Sequence, residues 1–146
     1  MNDLILTSEL HRRIEQYGVA DYPNECCGIL VGRDLTADGV TRRVVEQLYV
    51  VPNVYEASEQ YHRFAADPLV QMRVEKEADA QGKMVLGFYH SHPDHPARPS
   101  ETDRLAAWPF YSYVIVSIMK AKPAEMTSWT LNQETEAFEQ QPIVVE

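Results

Sequence analysis

"GFYHSHPDHPARPSETD", residues 87–103, places His90 and His92 at the end of an apolar run and follows them with Pro93, Pro96 and Pro99. A surface loop does not need two histidines on one face, and a core strand does not want them. The preceding residues, "KMVLGFY" (83–89), predict a strand. Residues two apart on a strand point the same way, so His90 and His92 offer both imidazoles to one side, close enough to share an ion. Imidazole nitrogen is a good ligand for Zn²⁺, and zinc sites in enzymes usually combine three protein ligands with an open position. Asp103, at the start of the next predicted helix, is the best third candidate. The intervening prolines restrict the connection and lower the ordering cost of holding the helix start near the strand end.

The end of the stretch has a second reading. "SETD", Ser100 to Asp103, is a helix capping box by pattern, with Asp in place of the usual Glu. The two readings are compatible. A capping Ser100 puts Asp103 in the first turn, where its carboxylate can turn toward the strand.

Working outward, "TSELHRRIEQYG" (7–18) predicts a helix capped by Thr7 or Ser8, with Leu10 and Ile14 on one face and Gly18 at its exit. "ECCGILVG" (25–32) is a short apolar strand, "DLTADG" (34–39) a hairpin turn, and "TRRVVEQLYVVPN" (41–53) a strand ending at Pro52. "DPLVQMRVEKEADAQG" (67–82) predicts a helix with Asp67 as cap, Pro68 in the first turn and Gly82 past the end. "SETDRLAAW" (100–108) is a short helix stopped by Pro109, and "YSYVIVSIM" (111–119) the most strand-like run. "KPAEM" (122–126) reads as a turn, "TSWTLNQ" (127–133) as a strand, and "AFEQQPIVVE" (137–146) as one last strand. The expectation is an α/β (α+β) fold: a mixed sheet flanked by helices, in one domain over residues 1–146.

Composition narrows the partners. With 13 Lys and Arg against 22 Asp and Glu, the formal charge is −9, which argues against nucleic acid or an anionic membrane. "MNDLILTSEL" (1–10) is no signal peptide, and no apolar run is long enough to span a bilayer. The two cysteines, Cys26 and Cys27, are adjacent, a spacing that rarely forms a disulfide and fits the cytoplasm. They read as small buried strand residues, and Ser91 as a strand-packing residue facing away from the histidines. Asp94 and His95 read as exposed loop residues, His11 and His62 as surface, and Trp108 and Tyr111 as packing.

The string H-S-H-PDHPARP-S-ET-D resembles the signature of the JAMM (MPN+) metalloproteases, with His90, His92, Ser100 and Asp103 at its positions. The family's upstream glutamate is matched by Glu25 in "YPNECCGILVG", the Pro-x-Glu-x-Cys-Gly setting of small bacterial members. The resemblance runs from the first helix to "YVIVSI" (113–118). It implies a mostly antiparallel, cytidine-deaminase-like sheet flanked by helices. It also implies one Zn²⁺ on His90, His92 and Asp103, with Glu25 as general base and Ser100 as oxyanion donor. The small bacterial members act on ubiquitin-like sulfur-carrier proteins ending in Gly-Gly, which implies release of an amino acid such as cysteine from that terminus. A sibling isopeptidase, or a cell-wall or phage-tail peptidase, would use the same metal chemistry. A zinc nucleobase deaminase is disfavoured, since the chain has neither His-x-Glu nor Pro-Cys-x-x-Cys. The DNA-repair-associated type carries Asn between the histidines, where this chain has Ser91. The oligomeric state is not legible from the chain.

Overall fold

The computed structural model describes residues 2–52 and 68–146. In chain order the elements are β1 (Asn2–Leu6), α1 (Ser8–Asp21), β2 (Cys27–Asp34), β3 (Thr41–Val51), α2 (Pro68–Ala80) and β4 (Met84–Pro93). Then follow α3 (Glu101–Ala106), β5 (Ser112–Met119), β6 (Lys122–Leu131), β7 (Phe138–Gln141) and β8 (Ile143–Val145). The strands form one mixed sheet in the order β7-β6-β5-β4-β2-β3-β1-β8. Pairing is antiparallel except for β4 with β5 and for β1 with both β3 and β8. The expected architecture, a mostly antiparallel mixed sheet flanked by helices, is the one observed.

The sheet curls around α1, which contacts β1, β3, β4, β5 and β6. β7 and β8 lie at opposite ends of the strand order yet are joined through Pro142, whose carbonyl accepts from Leu4 N at 2.9 Å. Gln141 closes the same seam by donating from Nε2 to Asn2 Oδ1. Around α1 the core gathers Leu10 and Ile14 with Leu4, Leu6, Leu30, Leu86, Val114, Val116 and Ile118. Each such fully buried aliphatic side chain contributes roughly 2 kcal/mol relative to exposure. On the opposite face α2 covers Cys27, Ile29, Val31 and Val85 with Val74 and Ala78. The sheet is thus apolar on both sides, which is why its central strands read as continuous apolar runs.

Four sequence expectations shift. α1 continues past Gly18 to Asp21, because Gly18 faces the sheet: a Cβ there would meet Ile118 Cδ1 at 2.8 Å. Gly18 is a close-packing residue in place of a helix exit. "NDLIL" forms β1, a strand that its short apolar patch did not signal. Residues 122–126 belong to β6, and the turn falls on Lys120 and Ala121, both at positive φ. The last segment is two strands, split by Pro142. The hairpin turn is where it was expected, with Asp38 at φ 53° and Gly39 at φ 76°. Asp67 and His62 lie outside the described residues.

Gly87 sets the approach of β4 to β5. A Cβ there would stand 1.8 Å from Ser112 O, a backbone atom with no room to yield. Gly87→Ala is expected to lower unfolding free energy by about 3 kcal/mol or more, or to prevent folding. Denaturant titration checks this; a near-neutral result would contradict the tight β4–β5 contact.

Candidate metal centre

The β2–β4 register brings the site together. Cys27 pairs with His90 in an antiparallel ladder, so Glu25, two residues earlier, falls beside His92 on the same face. Two further bonds extend the pairing below β2: Ser91 N donates to Cys26 O at 3.1 Å, and Cys26 N donates to Ser91 Oγ at 2.8 Å. Ser91 thus does more than pack. Its hydroxyl pins the Glu25 segment to the histidine strand.

The donor atoms converge. His90 Nε2 and His92 Nε2 lie 3.1 Å apart. Asp103 spans both, with Oδ1 3.2 Å from His90 Nε2 and Oδ2 3.1 Å from His92 Nε2. Ligand atoms of Glu25, His90 and His92 all fall within 4.8 Å of one another. The capping box is present too: Asp103 N donates to Ser100 Oγ at 3.1 Å, and Ser100 N donates to Asp103 Oδ2 at 2.9 Å. Capping therefore aims the Asp103 carboxylate at the strand.

This donor set fits a divalent cation. His92 Nδ1 is 2.9 Å from Pro96 O, an acceptor only, which requires the proton on Nδ1 and leaves the Nε2 lone pair facing inward. That lone pair meets a second imidazole nitrogen and a carboxylate in a buried place. Without a cation such a cluster must trap a proton, whereas a metal satisfies all three groups together. Two imidazoles with one or two carboxylates could hold a metal ion.

The electrostatics follow from burial and these contacts. Glu25 is 5% exposed. Burial pushes its carboxyl up to about 8; His92 draws it down and Asp103 pushes it further up. Burial also lowers the His90 imidazole, against the pull of Asp103. For His92, burial lowers, but the bonds to Asp103 and Pro96 prevail and the imidazole ends above its ordinary value. For Asp103, burial opposes ionisation, yet the two imidazoles hold its carboxyl well below the usual carboxylate range.

The loop between β4 and α3 is held from several sides. Asp94, at φ 57°, accepts from Tyr22 OH at 2.6 Å and Lys120 N at 2.8 Å. Ser117 Oγ donates to His95 O, and Thr127 Oγ1 to Ala97 O, both at 2.6 Å. Asp94 and His95 are exposed as expected, and Cys26 and Cys27 are buried and free. Burial raises the two thiols to about 11 and about 12, so neither is a ready nucleophile. Tyr111 packs edge-on against Phe88, but Trp108 is 68% exposed and packs less than expected. His11 has a neighbour, Glu15, at 3.6 Å across one helical turn. The roles of Tyr22, Ser91 and the Pro96 carbonyl had no sequence signal, since each depends on a long-range or backbone contact. A cavity of about 340 Å³ opens beside the cluster, lined by Glu25, His92, Pro93, His95, Pro96, Arg98 and Ser100.

A family profile described as prokaryotic homologs of the JAB domain matches residues 7–132. The chain belongs to that family. This JAB-domain chain is 39% identical over 98 residues to a protein of Haloferax volcanii named "Desampylase", covering 66% of this chain and 65% of that one. It is 34% identical to a Thermus thermophilus protein named "Probable TtuB-protein conjugate cleaving protease", over 59% of this chain and 51% of the other. It is 27% identical to a "CysO-cysteine peptidase" of Mycobacterium tuberculosis, over 88% of this chain and 82% of the other. The matched region thus spans about two-thirds and half of the first two relatives' lengths. A Desulfitobacterium hafniense protein solved in solution superposes with a TM-score of 0.81 at 30% identity, covering 98% of this chain and 92% of its own. A Salinibacter ruber protein superposes at 0.70 with 36% identity, covering 100% and 92%.

Proposed function

We propose that this JAB-domain chain is a zinc-dependent peptidase. Its substrate is the amide bond at the C-terminus of a ubiquitin-like sulfur-carrier protein ending in Gly-Gly, and the released group is cysteine. The observation that carries the reading is the convergence of Glu25, His90, His92 and Asp103 next to a small cavity that Glu25 and His92 help to line. Kinship to a protein named CysO-cysteine peptidase supports the substrate class.

His90 Nε2, His92 Nε2 and Asp103 would hold the ion, with Ser100 N and Pro96 O orienting the last two. Bound there, zinc supplies Lewis acidity to a water and to the scissile carbonyl at neutral pH. Glu25 Oε takes the proton of the attacking water and passes it to the leaving amine nitrogen. In the metal-free chain burial raises this carboxyl, and the positive charge of a bound ion beside it would draw it back down toward the ionised form a base needs. Ser100 Oγ accepts from Asp103 N, so its own O–H remains available to donate to the carbonyl oxygen as charge builds there. The proposed setting is the cytoplasm, with which two free buried thiols accord. No helix among the described residues is long and apolar enough to cross a membrane.

Ser100→Ala is expected to lower kcat about a hundredfold while metal content stays stoichiometric. If Ser100 serves only as a cap, metal affinity falls and turnover per bound metal is unchanged, which removes the oxyanion role. The primary test is mass spectrometry of a purified carrier–cysteine adduct incubated with metal-loaded protein, beside a chelated control. Loss of the cysteine mass in the loaded sample alone is expected; an intact adduct in both overturns the proposal. A second reading, cleavage of protein conjugates at a lysine isopeptide bond, draws on the higher identity to the Haloferax and Thermus proteins.

A further inference from the structure

The cavity beside the metal cluster has one lysine or arginine among its described lining residues, Arg98. The chain carries a net charge of −9, and four of the arginines outside the site are held in ion pairs. Arg33, Arg42, Arg43 and Arg104 pair with Glu46, Glu146, Asp34 and Glu101. Arg98 has no carboxylate partner among the described residues. Its side chain is exposed, but its backbone is firmly held. Its N–H donates to Pro96 O at 2.8 Å, the adjoining Ala97 is fully buried, and Ala97 O accepts from Thr127. Pro99 follows it and Ser100 comes next, so the cation stands two residues from the proposed oxyanion donor.

A cavity of about 340 Å³ admits a residue or two, not a folded domain. An arginine on the wall of so small a space, across a lining it shares with Glu25, favours a small group that ends in an anion. A residue at a chain terminus has such an end, its α-carboxylate, two bonds from the nitrogen that leaves. A lysine joined through its side chain has none there, because its backbone continues in both directions.

We propose that Arg98 receives the free α-carboxylate of the departing residue and thereby selects removal of one C-terminal residue over opening of a lysine isopeptide link. This rests on the hydrolysis proposed above. The probes are a Gly-Gly-tailed carrier extended by one alanine as the free acid, the same as the carboxamide, and the carrier joined to a lysine side chain of a peptide. For the metal-loaded wild-type chain, kcat/KM for the acid is expected to exceed that for the amide about tenfold or more. In Arg98→Ala the ratio falls to about one, and in Arg98→Lys part of it returns. A binding measurement on the Glu25→Gln chain runs in parallel, in which a short peptide ending Gly-Gly-Ala binds more tightly as acid than as amide only while Arg98 is present. Cleavage of all three probes with equal efficiency, or a preference that survives in Arg98→Ala, overturns the assignment and leaves the hydrolysis standing. Failure to cleave any of them with metal bound overturns the hydrolysis and this selectivity with it.

Discussion

Glu25→Gln is expected to keep its metal and to lower kcat by about a thousandfold, the range for removal of a positioned general base. The amide preserves shape and hydrogen-bonding reach but cannot take a proton from water. The same substitution has a second, opposite consequence in the metal-free protein. Burial moves the Glu25 carboxyl from 4.5 up to about 8, so between those values the folded chain holds a proton that the unfolded chain has released. The native state is therefore penalised progressively as pH rises from 4.5 toward 8, and the penalty is absent below 4.5. At neutral pH its size is about 3 kcal/mol. Metal-free Glu25→Gln should accordingly be more stable than wild type at pH 8 and no more stable at pH 4. Thermal melts at the two pH values, with turnover measured on metal-loaded samples, check both halves. Unimpaired turnover with metal confirmed would remove Glu25 as the base. A variant less stable at pH 8 would show that burial of this carboxyl carries no cost.

His92→Ala should abolish metal binding and hydrolysis together. The substitution deletes one inward Nε2 and the Pro96 contact that orients it, and leaves Asp103 Oδ2 without its imidazole neighbour. Removing a group that only orients a ligand already costs ten- to a hundredfold in affinity, so loss of a ligand itself should exceed about a hundredfold. Elemental analysis after desalting measures retention directly. A thermal-shift titration adds an independent reading: zinc should raise the wild-type melting temperature and leave the variant's unmoved. Stoichiometric metal at wild-type affinity in His92→Ala would place the ion elsewhere.

Much of this candidate centre is legible in the sequence. His90 and His92 two apart on a strand share a face, and "SETD" both caps α3 and places a carboxylate in its first turn. These are local relations, governed by strand period and helix-start geometry, and the fold preserves them. Where sequence and structure differ, the cause is long-range. Gly18 looked like a helix exit because glycine often is one, but Ile118, a hundred residues on, needed the space. β1 was missed because a short apolar patch becomes a strand only when β3 and β8 flank it. The final segment read as one strand because its two halves serve opposite ends of a sheet whose curling no local pattern records.

The amino-acid order by itself determined the types and spacing of the candidate ligands and the continuous apolar run that leads into them, because these are relations along one stretch of chain, set by periods of two and 3.6 residues. Only tertiary structure decided that Glu25 meets them. The antiparallel register of Cys27 with His90, extended by the Ser91 hydroxyl, carries a carboxylate from 65 positions upstream of His90 to the same face. Only tertiary structure, likewise, placed Arg98 on the wall of that cavity, since the anchor for its loop is Thr127 on a strand formed later in the chain.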